Sequence, residues 1–181
     1  MHCMTSDASL TTLPPLNPAE RAHAQRVSDH IREFIAAQGG VIGFDAYMRL
    51  ALYAPGLGYY SAGATKFGDA GDFVTAPEIS SLFSRCLARQ ASEVLDEIGG
   101  GDILELGAGT GALAADVLTG LQSLGRLPER YRIIEISADL AERQRSRIAA
   151  LPPELARRVE WLDRWPSRPM RGVVLANEVL D

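Results

Sequence analysis

The run Ile103-Leu104-Glu105-Leu106-Gly107-Ala108-Gly109-Thr110-Gly111 constrains this chain more than any other stretch. An apolar segment of strand character meets glycines at alternate positions and then opens a helical pattern. Such a junction turns sharply at the carboxyl end of a strand and lets a ligand approach the backbone, and side chains would obstruct both. The pattern that follows alternates. Asp102–Leu106 reads as a strand, Thr110–Leu124 as a helix and Tyr131–Ile136 as a strand. Ser137 caps a helix running to about Ala150, and Arg158–Leu162 and Gly172–Ala176 are further strands. Strands alternating with helices imply an α/β protein with a parallel sheet.

Upstream the chain reads as helical. Residues 1–16 are polar, contain proline and show no period, so a disordered leader is expected. Asn17-Pro18-Ala19-Glu20 is a helix start, with Asn17 as cap, Pro18 in the first turn and Glu20 closing a capping box. Val27, Ile31, Phe34 and Ile35 follow at helical spacing until Gly39-Gly40. A short helix is expected over Phe44–Tyr53. Residues 56–77 are rich in glycine and aromatics, and a long loop of this kind tends to carry function. A helix from about Ile79 to Ile98 would present Phe83, Leu87, Ala91, Val94 and Ile98 on one face, with Cys86 as a small core residue.

Composition closes several routes. The 181 residues carry 18 basic and 23 acidic side chains, a net charge of −5, which disfavours a phosphate-gripping nucleic-acid binder. No apolar run approaches membrane-spanning length, so membrane insertion is not expected. Cys3 and Cys86 provide neither a disulfide framework nor a metal spacing. His2, His23 and His30 lie away from the glycine motif, which leaves no fit to a Ser/His/Asp, Cys/His or zinc scheme. The N-terminus has no secretory or transit character, and a cytoplasmic location is the expectation.

Two classes of nucleotide ligand suit the glycine turn. Gly107, Gly109 and Ala112 satisfy the dinucleotide fingerprint formally. Glu105, two places before the first glycine, favours S-adenosylmethionine over NAD. A carboxylate there can meet a positively charged methionine moiety, whereas beside a pyrophosphate it adds like-charge repulsion. Gly111 completes the turn. Glu135 at the end of the second strand can accept both ribose hydroxyls in either class. Asp163, after the third strand, reads equally as an adenine contact or as a turn residue. Asn177, Glu178 and Asp181 follow the fourth strand. They face a ligand crevice, or they form an acidic helix start, and the residues alone leave these readings level.

Four runs, GYYSAGATKFGDAGDFVTAPEIS, LELGAGTGALAADVL, YRIIEISADLAERQ and GVVLANEVLD, together resemble the MidA-like class I methyltransferases. These are relatives of the mitochondrial protein-arginine methyltransferase of respiratory complex I assembly. The resemblance runs from about Ile31 to the last residue, with Ser81 and Ser84 as departures where relatives carry Pro and Gly. It implies S-adenosylmethionine as cofactor, held by Glu105, Gly107, Gly109, Gly111 and Glu135. It further implies a protein acceptor, an arginine side chain, with a complex I subunit among the partners the resemblance suggests. Asn177, Glu178 and Asp181 would face that acceptor, and Gly71-Asp72-Phe73 with Thr75 to Glu78 would lie over the crevice.

The fold expected is therefore α/β. A helical region over residues 17–98 precedes the first half of a Rossmann-like class I methyltransferase sheet, strands one to four, over residues 99–181. The fourth strand, apolar on both faces, suggests that further strands follow and that the chain is a truncated form. Two alternatives stand beside the methyltransferase: an NAD-dependent oxidoreductase, and a non-catalytic chain that binds a partner.

Overall fold

The computed structural model describes residues 15–62 and 74–179. The chain divides into two compact units, Met1–Tyr47 and Met48–Asp181. In the first, helix α1 spans Pro18–Ala37. Its start is the capping box expected from the sequence. Asn17 Oδ1 accepts the Glu20 N–H at 2.9 Å, and the Glu20 carboxylate accepts the Asn17 N–H at 2.8 Å. Helix α2, Phe44–Tyr53, runs across the division between the units.

The second unit is an α/β layer structure. A one-turn helix α3 (Ala76–Ile79) leads through Ser80 into α4 (Ser81–Glu97). The Ser80 hydroxyl caps α4 by accepting the Leu82 N–H at 3.1 Å. Then come β1 (Asp102–Leu106), α5 (Ala112–Ser123), β2 (Tyr131–Ile134) and α6 (Ala138–Ala149). A short α7 (Pro153–Ala156), β3 (Val159–Leu162) and β4 (Gly172–Leu175) complete it. The strands form one parallel sheet in the order β3-β2-β1-β4, with Ile103 opposite Tyr131 and Val173. This is the α/β fold with a partial Rossmann-like sheet that the alternating pattern implies. The chain steps outward from β1 to β2 to β3 and then returns to the other side of β1. That reversal makes a topological switch point between β1 and β4, where open α/β sheets bind ligands.

The core gathers Ile103, Tyr131 and Ile133 from the sheet with Leu113, Val117, Leu118 and Leu121 from α5 and Leu95 from α4. Helix α4 meets this core through a different stripe from the one expected. Ser84, Ala88, Ala91, Ser92 and Leu95 are buried, Val94 is exposed, and Cys86 is exposed and not a core residue. The larger Phe83, Leu87 and Ile98 pack at the flanks of the core. The reason is a close helix crossing. A β-carbon at Gly120 of α5 would fall 2.8 Å from the Ala88 Cβ, so α4 turns its smallest residues toward α5. Reading the stripe from large apolar residues alone misplaces it.

Two chain segments also differ from expectation. Residues Ala76–Ile79 are a helical turn and not loop, and α5 begins at Ala112, not Thr110, because Gly111 occupies the cap position with φ 82°. Among the described residues, no helix is long and apolar enough to cross a membrane.

The Gly120 contact is directly testable. Replacing Gly120 with valine adds methyls to a filled crossing and should lower the unfolding free energy by about 2 kcal/mol, despite valine's better helix propensity. Urea titration followed by circular dichroism measures it. The pair Gly120→Ala with Ala88→Gly, which moves one methyl across the crossing, should recover most of what Gly120→Ala alone loses.

Candidate functional site

The site grows from the end of β1. Gly107, Gly109 and Gly111 have φ of 62°, 54° and 82°, all in the left-handed region that β-carbons disfavour. The alternate glycines of the sequence are thus the residues that let the chain reverse from β1 into α5. A β-carbon at Gly111 would press on Gln144 of α6, with Cα at 3.3 Å, and one at Gly107 would touch the Val179 side chain at 3.6 Å. The turn and the first residues of α5 border a cleft of about 260 Å³ at the switch point.

Glu105 lies inside the sheet, 2% exposed, between the apolar Leu104 and Leu106. The Tyr131 hydroxyl donates to its Oε2 at 2.6 Å across the β1–β2 pair. Burial pushes the Glu105 carboxyl up to about 7, against the lowering effect of that hydrogen bond and with a further push from the charge of Glu135. Burial and then the nearby Glu105 raise the Tyr131 phenol well above its ordinary range, so it serves as a fixed donor.

Glu135 is the first residue beyond β2. Its Oε1 accepts the Ser137 N–H at 2.9 Å and its Oε2 accepts the Gln144 side-chain N–H at 2.9 Å. Burial raises its carboxyl above the ordinary value, and these bonds oppose the rise. Gln144 is fully buried, donates also to the Gly109 carbonyl at 3.0 Å, and accepts the Trp161 indole N–H at 2.9 Å. The Ser137 hydroxyl caps α6 and donates to the Tyr60 carbonyl at 2.6 Å. Tyr60 stacks on Tyr53 with ring centroids 5.6 Å apart, and both rings line the cleft.

On the far wall are Asn177, Glu178 and Val179, which follow β4, and Thr75, Pro77 and Glu78 around α3. Glu178 has φ 51°, an uncommon backbone state for a residue with a side chain. The Glu78 carboxylate accepts the Thr110 hydroxyl and lies 4.0 Å from the Arg147 guanidinium. Four carboxylates, Glu78, Glu105, Glu135 and Glu178, therefore line the cleft, and no lysine or arginine does so among the described residues. The cleft suits a ligand that carries positive charge.

The structure thus gathers Glu105, Gly107, Gly109, Glu135, Asn177 and Glu178 at one cleft, with Gly111 at the start of α5 beneath it. Asp163 is not among them. It follows β3, the edge strand two places from the switch point, and lines a separate shallow hollow with Arg132 and Glu160. There it is exposed and bonded to Arg164 at 3.2 Å, which holds its carboxyl below the usual value. Asp181 and Gly71-Asp72-Phe73 lie outside the described residues. Sequence reasoning missed Tyr131, Gln144, Trp161 and Tyr53. Gln144 alone left a signal. It is a polar residue on the stripe that Leu140, Ala141 and Ile148 otherwise keep apolar.

Residues 86–181, more than half of the chain, match the family model described as "Putative S-adenosyl-L-methionine-dependent methyltransferase". The chain belongs to that family. It is 48% identical to a solved superfamily structure from Burkholderia thailandensis bound to S-adenosyl-homocysteine, with a TM-score of 0.81 over 94% of this chain and 45% of that one. A second structure from the same organism is 46% identical, with a TM-score of 0.76 over 94% of this chain and 43% of that one. Among curated proteins it is 32% identical over 154 residues to the mitochondrial protein arginine methyltransferase NDUFAF7 of Mus musculus, covering 80% of this chain and 34% of that protein. The counterpart in Rattus norvegicus is 32% identical over 136 residues, covering 70% and 30%. The chain thus spans about a third of the length of these curated relatives and under half of the solved ones. The MidA-like resemblance read from the sequence holds. The expected cytoplasmic location does not, because the curated relatives are mitochondrial proteins.

Burial of Glu105 has a measurable consequence for stability. Its folded value of about 7 exceeds the ordinary 4.5, so between these limits the folded state keeps a proton that the unfolded chain releases. Its contribution is full below about pH 4.5 and is lost as pH rises through 7, and Glu135 acts with the same sign. Melting temperature should fall between pH 5 and pH 8. In Glu105→Gln, which keeps an acceptor for Tyr131, the fall should be clearly smaller. Thermal melts of both proteins at the two pH values check this.

Proposed function

We propose that this cleft binds S-adenosylmethionine and that the protein of which this chain is representative transfers the methyl group to a protein arginine. The observation that carries the reading is the cluster of carboxylates around a left-handed glycine turn, with no basic residue among the described lining. The residues present fit the cofactor. Glu135 offers an anchored carboxylate for two ribose hydroxyls. Glu105 offers a buried charge for the ammonium end, and the glycines leave room for close backbone approach. A diphosphate would meet Glu105 with like charge, which disfavours NAD. The cofactor supplies, when bound, a methyl group on a sulfonium. The solved relative that holds S-adenosyl-homocysteine supports this assignment.

The acceptor side is read from Asn177 and Glu178. A guanidinium is a planar cation with forked donors, and a carboxylate can hold it in bidentate fashion. Glu178 would orient one nitrogen toward the methyl group, and Asn177 would supply an amide beside it. Its left-handed backbone fits a residue placed for function at some local cost. The names of the curated relatives as arginine methyltransferases support the acceptor class. On the family resemblance, a complex I subunit is the acceptor to test first.

Calorimetric titration with S-adenosyl-homocysteine and with NADH separates the cofactor classes. Binding of the former alone is expected, and binding of NADH alone would overturn the reading. Gly109→Val, which forces a β-branched residue to φ near 54°, should abolish that binding. Glu178→Gln should leave it within about twofold while slowing transfer to an arginine peptide at least about a hundredfold. That arm uses the corresponding substitution in a full-length relative. Equal loss of cofactor affinity in the two variants would show that the division of roles is wrong.

A further inference from the structure

We propose that Gln144 is a positioning residue that fixes Glu135 in the orientation needed to accept a ribose diol, with Trp161 as the group that fixes Gln144. The inference rests on the cofactor reading above and adds a role outside the cleft lining. An indole N–H can only donate, so its 2.9 Å bond to Gln144 identifies the receiving atom as the amide oxygen. The amide nitrogen must then point the other way. Its two hydrogens are both used, one on the Gly109 carbonyl at 3.0 Å and one on Glu135 Oε2 at 2.9 Å.

This buried amide ties three places together: the end of β3 through Trp161, the glycine turn after β1, and the carboxylate after β2. With Ser137 N–H on Oε1, Gln144 on Oε2 and the Ile136 N–H as a further backbone donor, both oxygens of Glu135 are held by the protein. The carboxylate can no longer rotate freely, and the remaining lone pairs serve the cleft it lines. The amide also packs against the glycine turn, where a β-carbon at Gly111 would lie 3.3 Å from the Gln144 Cα. Preorganised acceptors gain their advantage by avoiding reorganisation on binding.

The test compares S-adenosyl-homocysteine with its 2′-deoxy analogue by calorimetry. In the unaltered chain, loss of the hydroxyl should cost about twentyfold in affinity, as a hydrogen bond to a charged group predicts. In Gln144→Met, similar in length and without N–H groups, that ratio should fall to about threefold or less. Trp161→Phe, which leaves Gln144 in place but unlocks its amide, should give an intermediate ratio and remains informative if Gln144→Met fails to fold. A ratio unchanged in a folded Gln144→Met or Trp161→Phe would overturn the positioning role while leaving the cofactor assignment standing. Failure of the unaltered chain to bind S-adenosyl-homocysteine would overturn both.

Discussion

One carboxyl group in the wrong place for stability organises this structure. Glu105 sits on the central strand, paired on both sides and buried, with the Tyr131 hydroxyl as its side-chain hydrogen-bond partner and the charge of Glu135 nearby. A leucine there would bury without cost, whereas a carboxylate must be desolvated and can recover only part of that loss through one hydrogen bond. Burial accordingly pushes its carboxyl up to about 7. The fold tolerates it because Tyr131, itself fully buried, is held rigidly by the adjacent strand in register. The gain lies at the surface of the cleft. There a desolvated carboxyl at low local dielectric would interact more strongly with a cationic partner than one in water.

The remainder of the cleft follows from where β1 ends. Leu106 is the last strand residue, and the left-handed glycines immediately afterward swing the chain into α5. The reversal of strand order brings Asn177 to Val179 against that turn, with Val179 beside Gly107. Two sides of one crevice thus arise from different levels of the hierarchy. The glycine side is encoded locally, by residue type at fixed spacing. The β4 side is encoded topologically, by the choice of which edge of the sheet the fourth strand joins.

That distinction explains what could be read from the chain beforehand. The glycine turn, the Asn17 capping box and the alternation of strand and helix are local signals, and each matches the structure. Glu105 and Glu135 were legible because a charged residue at the end of an apolar strand stands out against its neighbours. Errors arose where a residue's fate depends on a distant partner. Cys86 faces solvent because α4 rotates to bring Ala88 against Gly120, a contact between residues far apart in sequence. Asp163 reads equally as an adenine contact or a turn residue, and strand order shows only that it follows the edge strand, outside the lining of the cleft. Tyr131 looked like core, and it is core, but its hydroxyl has a second task that no period discloses.

Gln144 shows why such groups escape a linear reading and matter physically. A polar member of a buried helix stripe costs about 1–3 kcal/mol if a donor or acceptor is left unsatisfied. Here every hydrogen-bonding atom of the amide has a partner, so the cost is offset and the geometry becomes rigid. The three partners come from three different strand ends. Toward the amide, Gly109 presents its carbonyl, Glu135 a carboxylate oxygen and Trp161 an N–H, so one group must donate twice and accept once. A carboxamide is the one side-chain group of this length that donates twice and accepts at the other end. The glycine turn and the Glu135 carboxylate are therefore tied to each other through α6, and not through the sheet alone.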